Sequence, residues 1–442
     1  MRRTAKPIII KKRLYKFHYV LREKITVDRK VFERIADRID SYRDDMIRLQ
    51  IGLTAVPALS PDNGGDGEHE KAKFLAGCLH DLGFSDIREF NAPDERVSSG
   101  VRPSIIAALP GKNPEKTTWI LTHTDVVPPG EIGLWESDPY EGYVKDGRVY
   151  GRGTEDNQQD MVASIFAAKA FMDEGITPQS GIGLAFVADE ETSSKYGLEY
   201  LLKNENGLFK KTDILVVPDF GNQEGTLIEV AEKSILWLRF KTTGRQCHAS
   251  EPSRGKNAFS AASNLVVRLS DLHNIFDASD PVYHPSISTF EPTRKDANVP
   301  NVNTIPGEDI FYMDSRILPQ YELPDVMSQI RKMAGEIEEK FEVSLEITVV
   351  QQIQAPPPTS RDAPVVSALK MAIKDVYGAD AVPAGIGGGT VASFFRGAGY
   401  PVAVWSRIGQ TPHQPNENCL ISNMTGNAKI YAHLFLQGSQ NS

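Results

Sequence analysis

Three apolar runs in this chain end in side chains able to bind metal. Trp119-Ile-Leu-Thr-His-Thr-Asp125 runs into His123 and Asp125. Ile182-Gly-Leu-Ala-Phe-Val-Ala-Asp-Glu-Glu191 runs into three consecutive acids, and Ile214-Leu-Val-Val-Pro-Asp219 runs into Asp219. One charge after a strand is ordinarily a solvated loop residue. Three independent strands ending this way need another reason, because ligands of open parallel sheets bind outside the carboxyl ends of the strands. His123 and Asp125 are two apart, so on a continuing strand they face the same side. An imidazole that binds metal usually donates its other N–H to a carboxylate, and Asp125 could be that partner. Adjacent Glu190 and Glu191 project differently, so one can ligate while the other stays free as a base. The loop Gly151-Arg-Gly-Thr-Glu-Asp156 enters a helix, and its glycines permit a tight backbone. Carboxylate and imidazole without thiolate suit zinc, cobalt or manganese.

The surrounding elements must deliver these groups to one place. Apolar residues at helical spacing predict a helix from Val31 to about Leu53 and another from about His69 to Leu82, stopped by Gly83. Strands are then expected at Ile105–Leu109, Trp119–Leu121, Ile182–Val187 and Ile214–Val217, separated by helices such as Asp160–Glu174. That alternation implies an α/β fold, a mostly parallel sheet with helices on both faces. Near Lys233 the pattern changes. A strand (Ile235–Lys241), a helix (Ala258–Asp271), two strands (Ser286–Thr293 and Asp309–Ile317), a helix (Pro324–Phe341) and a strand (Ser344–Val350) follow. This βαββαβ order is that of a ferredoxin-like α+β domain. A helix, Gly387-Gly-Gly-Thr390 and a strand Val402–Trp405 then resume the first pattern. The expected organisation is a basic extension (1–29), a catalytic domain in two segments (30–233 and 351–442) and an inserted domain (234–350).

Five motifs in order carry a resemblance: His-x-Asp at His123, Gly-Arg-Gly-Thr-x-Asp at 151–156, Asp-Glu-Glu at 189–191, Pro-Asp at 218–219 and His-Gln-Pro-Asn-Glu at 413–417. Over residues 30–440 the chain resembles the two-metal metallopeptidases and deacylases that include succinyl-diaminopimelate desuccinylase, acetylornithine deacetylase, glutamate-releasing carboxypeptidases and carnosinase-type dipeptidases. The resemblance implies a zinc-exopeptidase-like fold with an inserted lid and dimerisation domain. It implies one ion held by His123, Asp156 and Asp219, a second held by Asp156, Glu191 and His413, and Asp156 as the bridge. Unaided, His413 reads only as a polar loop histidine. Glu190 would be general base and acid, and Asp125 would orient His123. Gly244-Arg-Gln-Cys-His-Ala-Ser250 resembles the inserted-domain motif whose histidine, here His248, reaches the other subunit's active site in dimeric members. Asn303 and Arg316 resemble substrate-carboxylate contacts of the desuccinylases, and Gly389 and Thr390 lie in a turn resembling the one that lines that pocket.

Two positions depart from the pattern. Desuccinylases and glutamate-releasing carboxypeptidases usually place Glu where this chain has Asp219, whereas dipeptidases and aminopeptidases of the family often place Asp. Asn157-Gln158 follow the bridging position, where many relatives have a lysine soon after. The function expected is a two-metal amidohydrolase that cleaves a small N-acyl amino acid, of desuccinylase or acetylornithine-deacetylase type. The alternative is a dipeptidase or aminopeptidase on the same site.

Composition narrows the remaining classes. The chain has 442 residues, 40% of them hydrophobic and 24% charged, as in ordinary globular proteins of more than one domain. Its net charge of −9 argues against nucleic acid as a partner. No apolar run approaches the roughly 20 residues that span a bilayer, so no membrane partner is expected. Residues 1–24 hold nine Lys/Arg and one acid, with an apolar stretch of only Pro7–Ile10, too short for a secretory signal. Three scattered cysteines suggest a reducing, cytoplasmic setting. A catalytically dead relative would have lost Glu190 or a ligand, and none is lost. A pyridoxal-phosphate enzyme needs a Schiff-base lysine with an Asp partner for the pyridinium, and no lysine sits in such a setting.

Overall fold

A computed structural model describes residues 27–437. The basic segment 1–24 therefore lies outside the described residues. The main sheet has eight strands in the order Asp86–Pro93, Val101–Leu109, Ser180–Val187, Asn113–His123, Ile214–Asn222, Val402–Arg407, Leu227–Glu232 and Val382–Ile386. The four central strands, from Ser180–Val187 to Val402–Arg407, are mutually parallel. Antiparallel neighbours flank them on both sides.

Side chains along these strands alternate between two cores, as the strand period requires. Ile120, Leu184 and Val216 face one cluster, built with the helices Gln159–Asp173 and Ile421–Leu436. Trp119, Leu121, Val187 and Leu215 face the other, which includes Leu198, Leu201 and Phe395 from the helices Leu198–Asn204 and Ala392–Gly397. Helices thus cover both faces of a mostly parallel sheet.

The expected first helix is two helices, Arg29–Ser41 and Arg43–Thr54. The break falls at Tyr42, whose backbone lies at φ −87°, ψ 2° and whose hydroxyl donates to Asp173 on a neighbouring helix. Three strands of this sheet were not among those expected, one of them the short edge strand Val382–Ile386. Asp86–Pro93 is an edge strand with mostly exposed side chains, and Leu227–Glu232 carries buried acids.

Between Ser234 and Ile353 the chain builds a four-stranded antiparallel sheet in the order Thr289–Lys295, Glu308–Ile317, Ser234–Thr243, Ser344–Ile353. In chain order that is the 2-3-1-4 arrangement of a ferredoxin-like unit. Leu236, Leu238 and Phe240 meet the helices Ala258–Leu269 and Leu323–Phe341 on one face, forming a separate core. The two crossings to the larger sheet lie side by side. Ser234 Oγ accepts hydrogen bonds from the backbone N–H of Ala355 at 2.9 Å and from Gln354 Nε2 at 3.2 Å.

Candidate metal centre

All but one of the ligand-type residues come from one edge, the carboxyl ends of the four parallel strands. His123 is the last residue of its strand, Asp189 to Glu191 follow Val187, and Asp219 lies near the end of Ile214–Asn222. The fourth strand, Val402–Arg407, leads into the loop that carries His413. Asp156 arrives from the loop before the helix Gln159–Asp173. Gly153 makes that loop possible: its φ is +81°, and a Cβ there would stand 2.6 Å from Val126 Cγ1.

His123 is buried. Its Nδ1 lies 3.0 Å from the carbonyl oxygen of Asp125 and 3.5 Å from that residue's carboxylate. The carbonyl is therefore the closer acceptor for an Nδ1–H. The Asp125 carboxylate accepts from the backbone N–H groups of Glu190 and Glu191 at 3.1 and 3.0 Å, which fixes the acidic turn. His123 Nε2 faces Asp156 Oδ1 at 3.1 Å and Asp219 Oδ1 at 3.4 Å. The other oxygen of Asp156 faces His413 Nε2 at 3.1 Å, and His413 Nε2 lies 3.2 Å from Glu191 Oε2. One carboxylate thus addresses two imidazoles, one through each oxygen.

These separations fit metal binding. Ligand atoms at 2.0–2.1 Å around a tetrahedral zinc ion lie about 3.3 Å from one another. Two clusters, His123–Asp156–Glu191 and His123–Glu190–Asp219, bring ligand atoms within 4.8 Å. Glu191 Oε1 is buried and has no hydrogen-bond partner, an atom that a bound cation would satisfy. Glu190 belongs to the second cluster, yet its carboxylate takes no hydrogen bond from any described residue.

The electrostatics follow from crowding acids in a buried place. Burial, then the charge of Asp219, raises Glu190 well above the usual carboxylate range. Burial and Asp156 raise Glu191 to about 7. Hydrogen bonds to Asp156 and Glu191 raise His413 to about 10. For His123, burial acts downward and is outweighed by Asp125, Asp156 and Asp219, so the ring is held well above its ordinary value. Burial of Asp156 is likewise outweighed by the two histidines, and its carboxyl lies well below its usual value.

Several supporting residues were not evident in the sequence. Asn157 Oδ1 accepts from the His123 backbone N–H at 3.2 Å, and its Nδ2 donates to Asp219 Oδ1 at 3.1 Å. An amide at this position therefore ties two ligand strands together. Arg102, fully buried, pairs with Glu68 and lies 3.4 Å from Asp189. Glu68 in turn accepts from the Asp189 backbone N–H at 3.2 Å, behind the acidic turn. Only a buried charge pattern could have pointed to these residues, and burial is not written in the sequence.

A cavity of about 730 Å³ opens over the cluster, lined by Asp156, Glu190, Glu191, Asp219 and His413 on one side and by Gly387–Thr390 on the other. Gly389 and Thr390 are thus brought to the site. The backbone N–H and hydroxyl of Thr390 donate to Glu232 Oε1 at 2.9 and 2.8 Å. Arg316 reaches the same turn, donating to the Gly387 carbonyl at 2.8 Å, while its Nε and Nη2 hold the Asp314 carboxylate at 2.7 and 3.0 Å. His248 and Asn303 are brought together elsewhere. They sit on the two-stranded ribbon of Cys247–His248 and Thr304–Ile305 and its approach, with His248 Nε2 3.5 Å from Asn303 Nδ2. Both are exposed, and neither lines this cavity.

Comparison with known proteins gives the chain's family. Residues 119–437 match the peptidase family M20/M25/M40. An uncharacterised metallohydrolase of Methanococcus maripaludis is 40% identical over 414 residues, covering 88% of this chain and 98% of that protein. A succinyl-diaminopimelate desuccinylase of Ruegeria is 25% identical over 394 residues, covering 88% and 97%. Among solved structures, human carnosine dipeptidase 1 superposes with a TM-score of 0.67 at 17% identity, covering 92% and 98%, which shows the shared fold. The chain belongs to the M20/M25/M40 peptidase family and is a metal-dependent hydrolase of amide or peptide bonds.

Proposed function

We propose that this hydrolase is a two-metal amidohydrolase that releases an amino acid from a small N-acyl amino acid. The observation that carries the reading is Asp156, whose two oxygens face His123 and His413 at the same 3.1 Å, with the unbonded carboxylate of Glu190 beside them. His123, Asp156 and Asp219 would hold one divalent ion, and Asp156, Glu191 and His413 the other. Zinc is the first choice, with cobalt or manganese as alternatives. Bound there, such ions supply an acidified water and polarise the amide carbonyl. Glu190 takes the proton of the attacking water and delivers it to the leaving amine, a role open to a carboxylate that no described residue hydrogen-bonds. His248, lent by a second copy of the chain through the inserted domain, donates to the developing oxyanion. Arg316 receives the substrate carboxylate together with Asn303, which stands beside His248 and enters with it from the second copy, and the turn at Gly389 and Thr390 shapes the pocket.

The same reading keeps the catalytic part at 30–233 and 351–442, the lid and dimerisation part at 234–350, and the enzyme in the cytoplasm as a homodimer. Three free cysteines support the location, and no described helix is long and apolar enough to cross a membrane. The whole-length likeness to desuccinylases supports the deacylase chemistry.

Asp219 favours a second reading, a dipeptidase or aminopeptidase. The two differ in which end of the substrate is blocked. Turnover of N-acetylornithine, N-succinyl-diaminopimelate and unblocked dipeptides, each with zinc, cobalt and manganese, separates them by kcat/KM. The first reading expects the blocked compounds to be preferred. Turnover of unblocked dipeptides alone replaces it with the second.

A further inference from the structure

The loop carrying Asp156 and the loop carrying His413 exchange carboxylates. Glu417, fully buried, accepts from the backbone N–H groups of Gly153, Glu155 and Asp156 at 2.9, 2.9 and 3.0 Å, and from Arg152 Nη1 at 2.6 Å. Glu155, equally buried, reaches the opposite way. It accepts from the backbone N–H groups of Gly409 and Thr411 and from Thr411 Oγ1 at 2.7 Å. Each acid thus comes from one ligand loop and binds the backbone of the other. Arg152 is held in turn, with its guanidinium 5.2 Å from the centre of the Trp135 ring.

The His413 loop needs such a hold. Gln410, His413 and Asn416 have φ values of 72°, 61° and 59°, a region that side chains other than glycine rarely occupy. No regular element runs from Arg407 to Asn418 to fix them. Asp156 is also outside helical geometry, at φ −113°, ψ 97°.

We propose that Glu155 and Glu417 are positioning residues, a reciprocal clasp that sets the Asp156–His413 spacing before metal arrives and so determines how tightly the second ion is held. The inference rests on the two-ion reading above. The two acids act on different sides. Glu155 fixes the loop of His413, which serves one ion. Glu417 fixes the backbone of Asp156, which serves both. His123 and Asp219 are held by Asn157, in the Asp156 loop, and by their strands, apart from the His413 loop. Loss of Glu155 therefore weakens one ion, and loss of Glu417 weakens two.

The test is a titration of the metal-free full-length chain with Co²⁺, followed by calorimetry and by visible absorption. Wild type, Glu155→Gln, Thr411→Val and Glu417→Gln are compared, with circular dichroism confirming the fold. We expect two ions on wild type. Glu155→Gln and Thr411→Val should keep the first ion within about threefold and bind the second about 10–100-fold more weakly, the usual scale for groups that orient metal ligands. Glu417→Gln should weaken both. A residue that only stabilised the fold would lower the melting temperature without separating the two ions. Should Glu417→Gln fail to fold, the other two variants decide. Two ions bound with wild-type affinity by both Glu155→Gln and Thr411→Val overturn the clasp. Fewer than two ions on wild type overturn the two-ion reading itself, and the clasp with it.

Discussion

At the strand edge, His123 is buried and its ring meets an Asp125 carbonyl, an Asp156 carboxylate and an Asp219 carboxylate. On the inserted unit's ribbon, His248 is exposed and its ring meets its near neighbour Ser250, through Oγ at 2.7 Å and the backbone N–H at 3.2 Å, and Asn303. The first histidine is fixed by buried groups from three separate segments, and the second is held only at the surface, within and beside its own ribbon. Groups that must stand in a fixed array before substrate arrives are set among buried hydrogen bonds. An exposed ribbon suits the role proposed for His248, donating into the site of a second copy. Arg316 lies between these extremes, with its fork spread over Asp314 and the Gly387 carbonyl, so the proposed substrate carboxylate would have to displace bonds that already exist.

Removing what the buried region is built to hold should have the largest effect. Chelation of the purified protein should abolish amide hydrolysis, and adding back divalent metal should restore it. Full turnover by the metal-free chain would break the assignment. Next in size is the exposed region's contribution in trans. An inactive Glu190→Gln chain mixed with an inactive His248→Ala chain should recover part of the activity, because one site of a mixed dimer is intact. Verified mixed dimers with no activity would return His248 to a purely local role.

A smaller change is expected at Arg316. Arg316→Ala should raise KM for the preferred carboxylate substrate by an amount worth about 1.5–3 kcal/mol, the scale of a charged hydrogen bond, with kcat less affected. Arg316→Lys should recover little, since an ammonium cannot reproduce the two-pronged grip. An unchanged KM would leave Arg316 as a brace of the Gly387 turn.

The smallest effect concerns Lys71, buried in the helix His69–Asp81. Burial lowers its ammonium to about 8, against the opposing pull of Asp125, Glu68 and Glu417. The unfolded lysine keeps its proton to about pH 10.4. Between these values the unfolded chain binds more protons, so this residue's contribution to stability rises with pH. Denaturant unfolding at pH 7.5, 9 and 10 should show wild type gaining on Lys71→Met as pH rises. Parallel profiles would mean that Lys71 keeps its proton in the folded protein.

Much of the strand edge was legible in the sequence because apolar runs and polar ends sit side by side there. Trp119 to Asp125 announces both a strand and what it delivers. The inserted unit was legible from its alternation, as in Ile235–Lys241, which became Ser234–Thr243. Leu227–Glu232 was not. Its Glu229 and Glu232 look solvent-facing, yet both are buried against Arg396, a partner 167 residues away from Glu229. Pairing of buried charges across such a distance leaves no local pattern. Tyr42 broke the first helix for a similar reason, since its partner Asp173 lies 131 residues on. Asn157, Glu155 and Glu417 were invisible as braces because their partners are backbone N–H groups and distant ligands, which sequence spacing does not reveal.

The separation of metal holding from proton transfer is tested most directly at Glu190. Glu190→Gln should be loaded with zinc, its metal content measured and its turnover of the best amide substrate compared with wild type. We expect about two ions per chain, as in wild type, with kcat lower by about 10²–10⁴-fold or more. Turnover near the wild-type rate, or a chain that has lost its ions, would contradict the assignment of Glu190 as the base.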